Sequence, residues 1–124
     1  MILDEKEMEL IILEGKLQST NNLYKVTVRG GRPHMYMTAD AKAMKQSYQW
    51  QAKTQWKKGV LTGDIVLDIK LYFQDKRRRD WDNYHKITMD ALEGVVYEDD
   101  RQIQDARVRK YLDRDKPRIE IIVK

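Results

Sequence analysis

"IVLDIKLYF", residues 65–73, alternates without a fault: Ile65, Leu67, Ile69, Leu71 and Phe73 fall on one face, Asp68 and Lys70 on the other. Successive side chains of a strand point to opposite faces, so this run reads as a strand with one face in a core. It leads straight into "QDKRRRDWDN", residues 74–83, where Lys76, Arg77, Arg78 and Arg79 stand beside Asp80 and Asp82. Upstream, Met8–Leu13 is a strand candidate ended by Glu14 and Gly15. "NNLYKVTVRGGRPHMYMT", residues 21–38, sets two alternating segments about Gly30-Gly31, a dipeptide suited to tight hairpins. Thr38 can N-cap a helix that runs to about Lys58 and stops at Gly59, with Ala41, Met44, Tyr48, Ala52 and Trp56 as its inward stripe. Downstream a short helix is expected over about Tyr84–Glu93, ended by Gly94, and "ARVRKYL" and "RIEIIV" are two further strands. Strands and two main helices without regular βαβ alternation predict an α+β fold, a single domain over 1–124 with a mixed β-sheet.

Composition bounds the partners. A chain of 124 residues supports one core. Without cysteine it has no disulfide framework and no thiolate metal site, which fits a cytoplasmic setting. No apolar run approaches a membrane span, and the acidic start lacks the basic region of an export signal. Residues 1–14 hold five acids and one lysine, and residues 1–7 are expected as a poorly ordered acidic extension. The remainder carries 23 basic and 15 acidic groups. A basic body favours a polyanionic partner, nucleic acid first, although ordinary soluble chains also reach a high pI.

Asp80 and Asp82 sit two residues apart where an extended chain enters a helix, so both carboxylates can face one point. Two anions that close repel, and a divalent cation such as Mg²⁺ removes the penalty. A third acid can come from Asp99-Asp100, of which one would point inward. The plainer alternative is that Asp82 or Asn83 caps a helix. Lys86, one turn beyond Asp82, can reach a phosphate, or else pair with Asp82 or Asp90. Asp90 reads as structural, and His34 and His85 as structural or surface residues. Trp81 alternates away from the flanking acids, which favours core packing over base stacking. Trp50 and Trp56 are read as core or dimer contacts.

The run "RRRDWDNYHKITMDALEG…YEDDRQIQDARV" resembles the RusA-type Holliday-junction resolvases, small homodimeric Mg²⁺-dependent endonucleases common in phages and prophages. Their pattern, R-R-D-x-D-N-x-x-K…D-A-L…D-D-x-Q, is met by Arg78, Arg79, Asp80, Asp82, Asn83, Lys86, Asp90, Ala91, Leu92, Asp99, Asp100 and Gln102. Ser19-x-Asn21-x-x-Tyr24 resembles the family's early Pro-Ser-x-Asn segment, with Gln18 where proline is usual. Trp81 stands where the family has a small aliphatic residue. The likeness covers about residues 9–124 in outline and 77–108 closely.

The resemblance implies that Asp80, Asp82 and Asp100 bind Mg²⁺, with Mn²⁺ as a substitute, and that Lys86 is the essential basic residue. Asn83, Asp99 and Gln102 would support them. Lys76, Arg77, Arg78 and Arg79 would hold DNA phosphates, joined by Asn21, Tyr24 and Arg32, with Arg107 and Arg109 as further candidates. Such contacts position DNA without reading its sequence. The implied reaction is paired nicking of a four-way junction by a homodimer, in recombination and repair, in a bacterial, phage or prophage setting and away from membranes. Two rivals stand beside it: a less selective branched-DNA nuclease using the same site, and a non-catalytic DNA-binding dimer whose acids cap helices.

Overall fold

The computed structural model describes residues 9–124. The acidic extension expected at 1–7 and the side chains of Asn21 and Asp82 lie outside the described residues. Among the described residues six strands and three α-helices follow in the order β1 (Glu9–Glu14), α1 (Thr20–Leu23), β2 (Tyr24–Arg29), β3 (Arg32–Met37), α2 (Ala39–Gln55), β4 (Ile65–Phe73), α3 (Lys86–Leu92), β5 (Ile103–Leu112) and β6 (Arg118–Val123). Four strands form one sheet in the order β1-β6-β4-β5. β4 and β5 run parallel, while β6 pairs antiparallel with both β1 and β4. The α+β class and the mixed sheet stand as read from the sequence.

β4 is the axis of the core. Its residues alternate buried and half-buried from end to end. The buried set Ile65, Leu67, Ile69, Leu71 and Phe73 joins Ile119, Ile121 and Val123 of β6 and Ile11 and Leu13 of β1. From the helices come Ala41, Tyr48 and Ala52 of α2 and Ile87, Ala91 and Leu92 of α3. Burying one such aliphatic side chain contributes about 1.5–3 kcal/mol, so this apolar layer outweighs any single polar contact described below.

Thr38 caps α2 as expected, its hydroxyl accepting from the Ala41 N–H at 3.1 Å. The helix ends at Gln55, earlier than Lys58, because Trp56 leaves helical geometry (ψ 119°) to bury its ring and donate Nε1–H to the Gly59 carbonyl at 2.7 Å. Gly30 and Gly31, with φ of 56° and 76°, make the primed two-residue turn that suits a twisted hairpin. β2 and β3 form a separate two-stranded ribbon, with Val26, Val28 and Met35 exposed. Among the described residues no helix is long and apolar enough to cross a membrane.

A sheet edge offers free N–H and C=O groups, and here α2 closes one. The Gln55 amide accepts from the Ile12 N–H and donates to the Ile12 carbonyl, both at 2.7 Å. One turn earlier Gln51 accepts from the Glu14 N–H at 2.7 Å and donates to its carbonyl at 3.3 Å. Two glutamines at i and i+4 thus stand in for a neighbouring strand.

Candidate functional site

The single helix expected over Tyr84–Glu93 is divided. A 3-10 turn covers Trp81–Tyr84, His85 intervenes at φ −118°, and α3 starts at Lys86. The break has two visible causes. The Thr20 hydroxyl donates to the Asn83 carbonyl at 2.7 Å, taking the acceptor a continuing helix would use. Tyr84 is buried edge-on against Phe73, ring centroids 5.0 Å apart, which anchors the turn to the end of β4.

Asp80 precedes this turn in extended geometry (φ −85°, ψ 127°). Its carbonyl accepts from the Asn83 N–H at 3.2 Å, but its carboxylate caps nothing and is exposed. The capping alternative named Asp82 or Asn83, but both lie inside the 3-10 turn, and the N-cap positions fall to Asp80 and His85, neither of which makes a side-chain cap bond. Asp82 lies inside the 3-10 turn, so the extended-chain argument that set it on one side with Asp80 stops at Asp80. Its own carboxylate lies outside the described residues.

The four cations before Asp80 divide into two kinds. Arg79 is drawn inward: its side chain is 9% exposed, pairs with Asp75 at 2.8 Å and covers the Phe73 ring at 4.7 Å. Asp75 also accepts from the Arg77 N–H at 2.9 Å, and that bond, followed by the Arg79 contact, holds its carboxyl below the usual range. Lys76, Arg77 and Arg78 face solvent, Arg77 with its side chain 81% exposed. Arg77 and Arg78 line an open cleft whose other wall is the Lys16–Asn22 segment, including Ser19. The early segment and the arginine run, 58 positions apart at Ser19 and Arg77, thus share one surface.

Lys86 opens α3, its ammonium 3.6 Å from Asp90 and over the Tyr24 ring at 5.2 Å. The Tyr24 hydroxyl donates to the same Asp90 carboxylate at 3.3 Å. Partial burial, reinforced by the Asp90 charge and hydrogen bond, pushes that phenol up to about 12. Asp90 so ties Lys86 to the base of the β2–β3 ribbon. Arg32 and His34 lie farther out on the ribbon and are exposed.

A second group of acids gathers at the other end of α3. Carboxylate oxygens of Glu93, Asp99 and Asp100 lie within 4.8 Å of one another. Glu93 reaches them because it leaves the helix extended, and the Gly94 turn (φ 81°) brings Tyr97 back beside it. Asp99 is occupied: it accepts from the Arg101 N–H at 2.9 Å and pairs with the Arg101 guanidinium at 3.2 Å, and these contacts lower its pKa. Gln102 holds the turn, accepting from the Glu98 and Asp99 N–H groups and donating to the Leu61 and Gly63 carbonyls. Asp100 caps nothing with its carboxylate and is exposed. All three groups are carboxylates, the hard oxygen set that Mg²⁺ and related cations take.

Glu93 was not singled out from the sequence. Its signal is present in hindsight: an acid at a helix C-terminus opposes the helix dipole. Lys86, Asp90 and Glu93 also follow i, i+4, i+7, one stripe along α3. Asp80 belongs to no group of three acids among the described residues. α3, about 10 Å long at seven residues, stands between Asp80 and the Glu93 cluster in the chain. The tryptophans divide, with Trp81 differing from expectation and Trp50 outside the core of the single chain. Trp56 is core, but Trp81 is 52% exposed and Trp50 69%. The expectation that Trp81 packs in the core fails because the 3-10 turn rotates it off the alternation of an extended chain.

A Bacillus subtilis (strain 168) protein described as "Uncharacterized protein YqaN" is 28% identical over 119 aligned positions, covering 79% of this chain and 83% of its own length. Residues 14–124 match the profile of the family described as "Endodeoxyribonuclease RusA". That match takes in β2 through β6, the arginine run, both acid groups and Lys86, and the chain belongs to the RusA endodeoxyribonuclease family.

Proposed function

We propose that this chain is a divalent-cation-dependent endonuclease that nicks four-way DNA junctions in pairs, as a homodimer acting in recombination and repair. Support comes from one arrangement above all. Lys86 opens α3, the Glu93–Asp99–Asp100 group lies beyond its other end, and exposed arginines precede Asp80 in the chain.

In this reading Asp80, Asp82 and Asp100 hold Mg²⁺, which requires Asp80 to close on the Glu93–Asp99–Asp100 group that it does not join here, and Glu93 is a further acid beside Asp100. Asp100 is favoured over Asp99 because Asp99 spends its carboxylate on Arg101. When bound, the cation supplies charge neutralisation at the scissile phosphate and an acidified water. The chain's own residues do the rest. Lys86, oriented by Asp90 and Tyr24, places positive charge where the phosphate becomes more negative. Lys76, Arg77 and Arg78 hold the backbone, while Arg79 stiffens the segment that carries them.

On this reading one chain supplies one cation site, whereas resolving a junction needs two nicks related by a two-fold axis. An isologous dimer supplies that relation. The test is cleavage of a mobile four-way junction with and without Mg²⁺, with both nick positions mapped on all strands. Symmetric paired nicks that require the cation are expected. Equal cleavage of three-way and linear substrates would point to a less selective nuclease. Junction binding without products at any cation concentration would remove the enzymatic reading.

A further inference from the structure

A lone exposed tryptophan needs no special account, but Trp81 is not alone. It stands between Asp80 and Asp82, and four residues after the exposed Arg77. Its ring is held: it lies tilted 34° against the His85 ring at 5.2 Å, and it helps wall an apolar niche with Leu71, Thr88 and Val108. The residue as a whole is 52% exposed, so part of the ring is open to solvent. A ring fixed on one side and open on the other, in the stretch of chain that follows an exposed cationic run, is a platform on which a base can stack.

The energetics choose which base. Stacking on an aromatic side chain is sequence-tolerant, whereas drawing a base out of an intact duplex costs at least as much as the stack returns. At a branch point that cost is lower, because a terminal base pair of an opened arm has lost its stacking neighbour on one side. A single ring can therefore favour branched DNA without reading any sequence.

We propose that Trp81 stacks on an unpaired base at the branch point and so favours branched over fully paired DNA at the cleavage site. This rests on the reading of the chain as a nuclease of branched DNA. DNA is the better occupant than a second copy of the chain. The centre of a protein–protein interface is depleted of charge, and Trp81 is flanked on both sides by carboxylates and preceded by a cationic run.

The test compares wild type, Trp81→Phe and Trp81→Leu, each checked by thermal melting. Binding is measured with Ca²⁺ in place of Mg²⁺, to a four-way junction carrying 2-aminopurine at the branch and to a linear duplex of the same sequence. Trp81→Leu is expected to lose about 5- to 150-fold in junction affinity, with duplex affinity unchanged. Wild type and Trp81→Phe alone should change the 2-aminopurine fluorescence. If Trp81→Leu binds the junction like wild type with the same signal, the stacking role is overturned, while nicking by both proteins in Mg²⁺ would leave the nuclease reading standing. If Trp81→Leu sediments as a smaller species than wild type, the ring packs against a second copy and the proposal fails. If wild type neither binds nor nicks junctions, the nuclease reading falls and takes this proposal with it.

Discussion

Replacing Asp80 by Asn and Asp99 by Ala should separate chemistry from folding. The Asp80 carboxylate is exposed and caps nothing, so its amide should change stability by no more than about 0.5 kcal/mol. The unfolding entropy of about 2.1 cal/mol/K per residue, over 124 residues, comes to about 0.26 kcal/mol/K. One kcal/mol is then worth about 4 °C, and Asp80→Asn should melt within about 2 °C of wild type. Asp99 caps the Asp100–Gln102 turn through the Arg101 N–H, and losing such a cap costs about 1 kcal/mol, or about 4 °C. The rates should order the other way. Removing a carboxylate that holds the cation should cost Asp80→Asn about 4 kcal/mol of transition-state stabilisation, or about a thousandfold in single-turnover cleavage, with junction binding kept. Asp99→Ala, which loses only a supporting group, should fall about 10- to 100-fold. The assays are a thermal melt, single-turnover cleavage of an end-labelled junction in Mg²⁺, and binding in Ca²⁺. Cleavage by Asp80→Asn within tenfold of wild type would refute the assignment of Asp80. An Asp99→Ala loss as deep as that of Asp80→Asn would exchange the roles of Asp99 and the ligands.

Lys86→Met breaks a half-exposed ion pair and should shift the melting temperature by under about 4 °C, yet slow cleavage about 100- to 1,000-fold with junction affinity largely kept; a lost affinity with an unchanged rate constant would make Lys86 a binding residue. Gln55→Ala strips two 2.7 Å bonds from the β1 edge and should cost about 1–3 kcal/mol, more than Gln51→Ala, whose bonds are exposed; the reverse order in urea melts would contradict the account of that edge. Burial raises the phenols of Tyr24, to about 12, and of Tyr48 and Tyr97. Unfolded tyrosines titrate near 10, so this stabilisation is complete below pH 10 and lost as the pH climbs through the folded-state values. Urea midpoints should hold up to about pH 9.5 and then fall, and Tyr24→Phe should soften the first part of that fall.

Much of the fold was legible because local rules carried it. The alternation of β4, the Thr38 cap and the Gly30-Gly31 turn each depend on residues within a few positions, and all three appear where they were read. What escaped reading depends on distant partners. Thr20 breaks the helix at Asn83 from 63 positions away. Arg79 looks like another phosphate ligand until the bend after β4 turns Asp75 toward it. Tyr24 meets Asp90 across 66 positions. The acids of the proposed site follow the same division: Asp80, Asp82 and Asp100 stand in a recognisable pattern, whereas Glu93 becomes visible only when the Gly94 turn returns the chain to Asp100.

The amide of Gln102 fastens the Asp100 turn to the carbonyls of Leu61 and Gly63, and the Leu61 N–H is itself held by Val96. Residues 56–64, the connection from α2 to β4, supply none of the proposed ligands, yet they act as a spacer gauge for the acidic cluster. Lengthening or shortening that connection would slide the carboxylates relative to Lys86 while leaving every ligand in place. The geometry of the acidic cluster therefore depends on a connection that supplies none of its acids.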